Sequence, residues 1–89
     1  MDDKYYLAAF KSRNQAIYLY SLFQEEDRNI KLISTPCILK VGCSYSLKFY
    51  NKSYIELILK YVDDYKLEEP LFYLAERIQG RMKYRQIRF

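Results

Sequence analysis

Histidine and tryptophan are absent from the 89 residues, and glycine, proline and cysteine occur only twice each. Without histidine the chain lacks the commonest general base near neutral pH and the commonest metal ligand. Two cysteines are too few for a disulfide scaffold and fit a reducing compartment, where a thiol serves packing or chemistry. So little glycine and proline leaves scant material for linkers, and the length suits one domain over residues 1–89, which excludes a multidomain enzyme. Apolar residues make up 51% and charged residues 29%, the balance of a soluble domain with a modest core. The longest apolar run is residues 5–10, far short of the roughly 20 that span a bilayer, and Asp2 and Asp3 carry the wrong sign for a secretory leader. A cytoplasmic protein with no membrane partner is expected.

The charge is unevenly distributed. Residues 1–76 hold ten Lys/Arg against eleven Asp/Glu, whereas residues 77–89 hold Arg77, Arg81, Lys83, Arg85 and Arg88 with no acid. The net charge of +4 is therefore a property of a basic C-terminal segment, and any attraction to phosphates would come from there and weaken with salt.

Tyr5-Tyr6-Leu7-Ala8-Ala9-Phe10 is too short for a helix and reads as a central strand buried on both faces. Ser12 and Gln15 form a capping-box pattern, followed by Ala16, Leu19, Tyr20 and Phe23 at helical spacing, which predicts a helix over about 13–25. Residues 30–33 read as a second strand closed by Ser34-Thr35-Pro36, and residues 46–50 as a third. Ser53 and Glu56 repeat the capping box ahead of Ile55, Ile58, Leu59 and Val62, predicting a second helix to about Tyr65. Residues 71–75 are a fourth strand, and the alternation after Gly80 predicts a hairpin turning at Gln79-Gly80, with Glu76 opposite Lys83 and Phe72 opposite Ile87. The expected class is α+β: a ferredoxin-like two-layer sandwich, two helices on one face of an antiparallel sheet, with an extra C-terminal hairpin strand.

About ten residues, 35–44, separate the second and third strands, where a hairpin normally needs 2–5. This connection holds Cys37, Cys43 and Gly42. Gly42 lets the backbone turn sharply before Cys43 and lets another molecule approach the sulfur. Lys40 and Lys48 flank it with no carboxylate between residues 28 and 55, a field that favours thiolate over thiol and so suits a sulfur nucleophile. The competing reading is that both cysteines are small buried hydrophobes, Cys37 above all because it continues a strand-like alternation. Cys-x5-Cys is not the spacing of thioredoxin-like or zinc sites, and two thiols without histidine do not complete a four-ligand zinc site, so no metal and no cofactor are expected. A Cys37–Cys43 disulfide is compatible with the spacing.

The stretch Ile33-Ser34-Thr35-Pro36-Cys37-Ile38-Leu39-Lys40-Val41-Gly42-Cys43-Ser44-Tyr45-Ser46-Leu47-Lys48-Phe49, set after Phe10-Lys11-Ser12-Arg13-Asn14-Gln15-Ala16, resembles a family of small bacterial domains described as putative Se/S carrier protein-like. Ser34-Thr35-Pro36 matches the family's turn, and Cys43 matches the cysteine placed shortly before a Leu-x-Phe strand. The family more often has glycine where this chain has Ser44, and a basic or polar residue where it has Cys37. The resemblance implies a carrier rather than a turnover enzyme, in which the Cys43 thiolate accepts sulfur or selenium as a persulfide or selenopersulfide and passes it on. A donor such as a cysteine desulfurase and an acceptor are the implied partners, with Lys40, Gly42, Ser44 and Cys37 shaping the site.

Two other classes compete. A non-catalytic interaction module suits the small size and exposed edge strands, as does a homodimer through the sheet. Single-stranded nucleic-acid binding would use the eleven tyrosines and the basic segment, but the alternating glycine and aromatic pattern of RNA-binding sheets is missing, and Tyr18, Tyr20, Tyr54, Tyr61 and Tyr65 fall at core or helix positions. The acidic pairs Asp2-Asp3, Glu25-Glu26, Asp63-Asp64 and Glu68-Glu69 read as solvated element ends, and no phosphate loop, nucleophile elbow or dinucleotide fingerprint occurs.

Overall fold

The computed structural model describes residues 3–36, 39 and 45–88. Seven elements follow in chain order: β1 (Lys4–Ala9), α1 (Arg13–Glu25), β2 (Ile30–Ser34), β3 (Tyr45–Phe49), α2 (Tyr54–Asp64), β4 (Leu71–Ile78) and β5 (Arg81–Ile87). The strands form one sheet in the order β2-β3-β1-β4-β5 with antiparallel pairings throughout. The α+β class expected from the sequence is therefore the one observed.

β1 lies at the centre of this order, and its period of two sends successive side chains to opposite faces. Ala8 and the following Phe10 join Leu47, Phe49 and Phe72 in a core closed by Ala16, Leu19 and Phe23 of α1 and Ile55, Ile58 and Val62 of α2. Tyr5, Leu7 and Ala9 point the other way and cluster with Tyr73 and Ala75, with Ile33, Leu39, Met82 and Tyr84 packed around them. No residue of α1 or α2 joins this second cluster, so both helices cover the same face. Aromatic stacking ties the helical layer together: Tyr6 lies on Phe49 across the β1–β3 pair at 5.7 Å, and Tyr61 of α2 on Phe23 of α1 at 5.2 Å. Burial of apolar surface on this scale is the main favourable term in a domain this small.

The helix ends show how the chain manages with so little glycine. Ser12 caps α1 as expected, its Oγ accepting the Gln15 N–H at 3.3 Å. Gln15 does not close the box; its Oε1 accepts the Glu68 N–H at 3.2 Å instead, tying the start of α1 to the chain after α2. The second expected capping box does not form, because Ser53 has helical backbone angles and makes no side-chain cap. Its N–H and Oγ both donate to Asn51 Oδ1, so the asparagine turn two residues earlier takes over the entry to α2. Both helices then end alike. Asp27 and Lys66 occupy the left-handed region, at φ 56° and 57°, and the next residues donate back to the helix, Arg28 N–H to Phe23 O at 3.0 Å and Leu67 N–H to Val62 O at 2.8 Å. This is the Schellman termination that glycine usually serves.

β1 and β3 keep their expected lengths but begin and end one residue earlier, and β4 runs past the expected Ala75 to Ile78. The β4–β5 register has Glu76 opposite Lys83 and Phe72 opposite Ile87, as the alternation predicts. Gln79 and Gly80 both have positive φ, 52° and 78°, the two-residue turn whose twist matches that of the strands.

A side chain in the left-handed region costs roughly 1–2 kcal/mol, part of which glycine returns as chain entropy. Lys66→Gly is therefore expected to raise unfolding stability by roughly 0.5–1 kcal/mol, read as a higher urea midpoint at unchanged slope; an unchanged or lower midpoint would show that Lys66 is not strained.

Candidate functional site

The chemistry expected from the sequence falls on the connection between β2 and β3, whose stem lies among the described residues. The last register pair is Ser34 opposite Tyr45. Beside it Thr35 Oγ1 and Ser46 Oγ share a hydrogen bond of 2.7 Å, with Ser46 fully buried and Thr35 nearly so. These are the two buried polar residues of the described chain, and each satisfies the other. Tyr45 is held twice more: its carbonyl accepts the Phe10 N–H at 3.3 Å, and the Arg13 guanidinium lies 5.4 Å from its ring centroid. The stem therefore stands against the end of β1 and the first turn of α1.

Within residues 37–44 of the connection, Leu39 is described. Leu39, whose N–H donates to Pro36 O at 3.1 Å, packs into the cluster on the helix-free face. Cys37, Lys40, Gly42, Cys43 and Ser44, the site residues proposed from the sequence, lie outside the described residues. Among the described residues no group of three or more His, Cys, Asp or Glu side chains is placed to share a metal ion. No helix among them is long and apolar enough to cross a membrane.

Lys48, expected to set the field around the thiols, is described. It lies on β3 three residues beyond the stem pair, opposite Leu7 and Lys31. Its ammonium rests over the Tyr5 ring at 4.4 Å and lies 5.8 Å from the Tyr50 centroid, while Tyr5 and Tyr50 meet edge to face at 6.5 Å. A cation over an aromatic face is attracted by the ring quadrupole. Tyr84 of β5 completes the group from the other side. Burial first, then its hydrogen bond to Tyr5, push its pKa up to about 12, against a small opposing effect of Lys48. Sequence reasoning did not anticipate this tyrosine–lysine group or the Thr35–Ser46 bond. The first could have been found by carrying the period of two across the sheet, since Tyr5, Lys48, Tyr50 and Tyr84 share one face once the order is known. The second had a fainter signal: Ser46 sits where the β3 alternation turns to the same face as Leu7 and Ala9.

Helices on one face and a cationic, aromatic second face define a small α+β domain with a long connection between β2 and β3. The model of the family described as putative Se/S carrier protein-like matches residues 5–73, which include the whole β2–β3 connection, and the chain belongs to this family. No curated protein and no solved structure matches it.

Two expectations follow. Thr35→Val and Ser46→Ala should each cost about 1–3 kcal/mol by stranding a buried hydroxyl, while the double variant should cost clearly less than their sum; strictly additive urea denaturation energies would dismiss the bond. Tyr84 should ionise near pH 12, as a late step in tyrosinate absorbance that Tyr84→Phe removes. Because its folded pKa is raised above the unfolded value of about 10, its contribution to stability is complete below about pH 10 and is lost as pH rises toward 12. A step merged with the other tyrosines would contradict the burial argument.

Proposed function

We propose that the protein is a sulfur or selenium carrier in which the Cys43 thiolate accepts the chalcogen atom. The observation that carries this reading is the family match across the β2–β3 connection. The local sequence supports it: Gly42 precedes the thiol, Lys40 is close by in the chain, and residues 29–55 contain no carboxylate, a field that lowers a thiol pKa. The anchored stem is a further support, since a loop presenting a nucleophile gains from a rigid base.

The transfer needs no external oxidant. The Cys43 thiolate attacks the terminal sulfur of a donor's cysteine persulfide, the donor's S–S bond breaks, and the donor cysteine leaves as thiolate while Cys43 becomes the persulfide. An acceptor nucleophile then attacks that terminal sulfur and Cys43 leaves as thiolate. Selenium follows the same route as a selenopersulfide. A cysteine desulfurase is the class of donor this chemistry requires, and a reducing cytoplasm is the compartment that keeps the thiol available. We read β2-β3-β1-β4 as the ferredoxin-like arrangement, with the β4–β5 hairpin appended.

The test is the pH dependence of iodoacetamide alkylation at Cys43 in the folded Cys37→Ser variant, followed by mass spectrometry after exposure to polysulfide. Alkylation should be fast roughly 1–2 pH units below the free-thiol midpoint of about 8.5, and a one-sulfur adduct should form that Cys43→Ser abolishes. Protection of Cys43 at every pH until the protein unfolds would overturn the reading and leave a packing residue.

A further inference from the structure

β5 terminates the sheet, so one side of its backbone pairs with β4 and the other faces away from the sheet. The two-residue turn makes Ile78 and Arg81 a hydrogen-bonded pair, and from there bonded and non-bonded pairs alternate. The N–H groups of Met82, Tyr84 and Gln86 therefore point outward. An edge of this length is a template for another strand unless something deters it.

What deters and what invites is written in the side chains. Arg81, Lys83 and Arg85 alternate along one face of β5, all exposed. None forms an ion pair among the described residues. Arg77, opposite Met82, belongs to the other face, where it pairs with Asp3 at 3.3 Å; Glu76 of β4 lies opposite Lys83, and residues 77–89 contain no carboxylate. A second copy of β5 laid against this edge would set cations beside cations, which is unfavourable. An extended segment with carboxylates at every second position would instead meet Arg81, Lys83 and Arg85 in step, because side chains on one face of any strand repeat about every 6.8 Å.

We infer that β5 is a docking strand for an acidic extended segment of a partner protein, which adds to the sheet as a sixth strand. Backbone bonds to Met82, Tyr84 and Gln86 supply attachment, and the three cations select for acid. The site does not depend on the carrier reading. β5 lies outside the matched residues, and four strand spacings of about 4.8 Å separate it from β2, so a docked segment leaves the β2–β3 connection uncovered.

The test uses the full chain and a fluorescein-labelled peptide of the length of β5 in which glutamate alternates with valine. Binding by anisotropy should slow amide exchange at Met82, Tyr84 and Gln86, and the triple variant Arg81→Gln, Lys83→Gln, Arg85→Gln should bind about tenfold more weakly. Gln86→Pro, which keeps every charge but removes an outward N–H that an edge strand can spare, should also weaken binding. Retention of full affinity by both variants overturns the proposal. So does binding without exchange protection, which would be a diffuse charge effect, and so does tighter binding of a single-stranded oligothymidylate, which would make the edge a phosphate-binding surface. A shift in affinity with the charge variant at unchanged thermal stability supports it.

Discussion

β1 is the element on which the rest depends, because among the described strands it stands at the centre and joins the two halves of the sheet. β3 and β2 hang from one edge of it and β4 and β5 from the other. It must also serve two cores at once, sending Ala8 and Phe10 to the helical layer and Leu7 and Ala9 to the opposite face, all of them buried. Alanine at 8 suits the face on which the helical layer presses, since added methylenes in a close-packed strand force the neighbours off their rotamers. That constraint reaches the candidate site directly: Phe10, the residue following β1, donates to Tyr45 at the base of the β2–β3 connection.

The two layers differ in charge. Residues 11–29 and 51–70, which hold both helices, carry six Lys/Arg and eight Asp/Glu, whereas the five strands carry seven Lys/Arg and only Glu76, with Asp3 and Arg88 just outside them. Asp3 is itself engaged, 3.3 Å from Arg77. The acids of the helical layer gather at helix ends, and one has structural work: Glu26 accepts from the Tyr61 hydroxyl and lies 2.9 Å from Arg28 Nε. The Tyr61 hydrogen bond foremost, then Arg28, hold its carboxyl below the usual range, and the same bond raises Tyr61. The interaction joins the end of α1 to α2 between the acid range and the tyrosine range. It weakens as pH falls through the Glu26 value and again as it rises through that of Tyr61. Exposure to solvent keeps its contribution small.

Much of the fold was legible because its signals are local and redundant. Six apolar residues at positions 5–10, two amphipathic runs, and the alternation after Gly80 identify their elements independently of tertiary context, and the hairpin register follows from turn length alone. The cap of α2 was misread for a physical reason: Ser53 and Asn51 are both competent caps, and which one closes the helix depends on backbone angles that composition does not encode. The helix terminations at Asp27 and Lys66 were invisible for the same reason, since any residue can be forced into the left-handed region when the bonds from Arg28 and Leu67 repay it. The candidate site was legible as a length anomaly and a thiol beside a glycine. Its stem was not, because Thr35 and Ser46 are eleven residues apart and meet only when β2 and β3 are in register.

That stem bears on why a ten-residue connection is tolerated in so small a domain. Closing a longer loop adds little entropy cost, since the penalty grows only with the logarithm of length. The harder requirement is that the strands at its two ends be held in register. The buried Thr35–Ser46 bond, the Arg13–Tyr45 contact and the Phe10–Tyr45 bond fix the junction from three directions. Leu39 fastens the connection once more to the helix-free cluster. The β2–β3 register is thus set by residues of the sheet and of α1, through packing and hydrogen bonds at the junction itself.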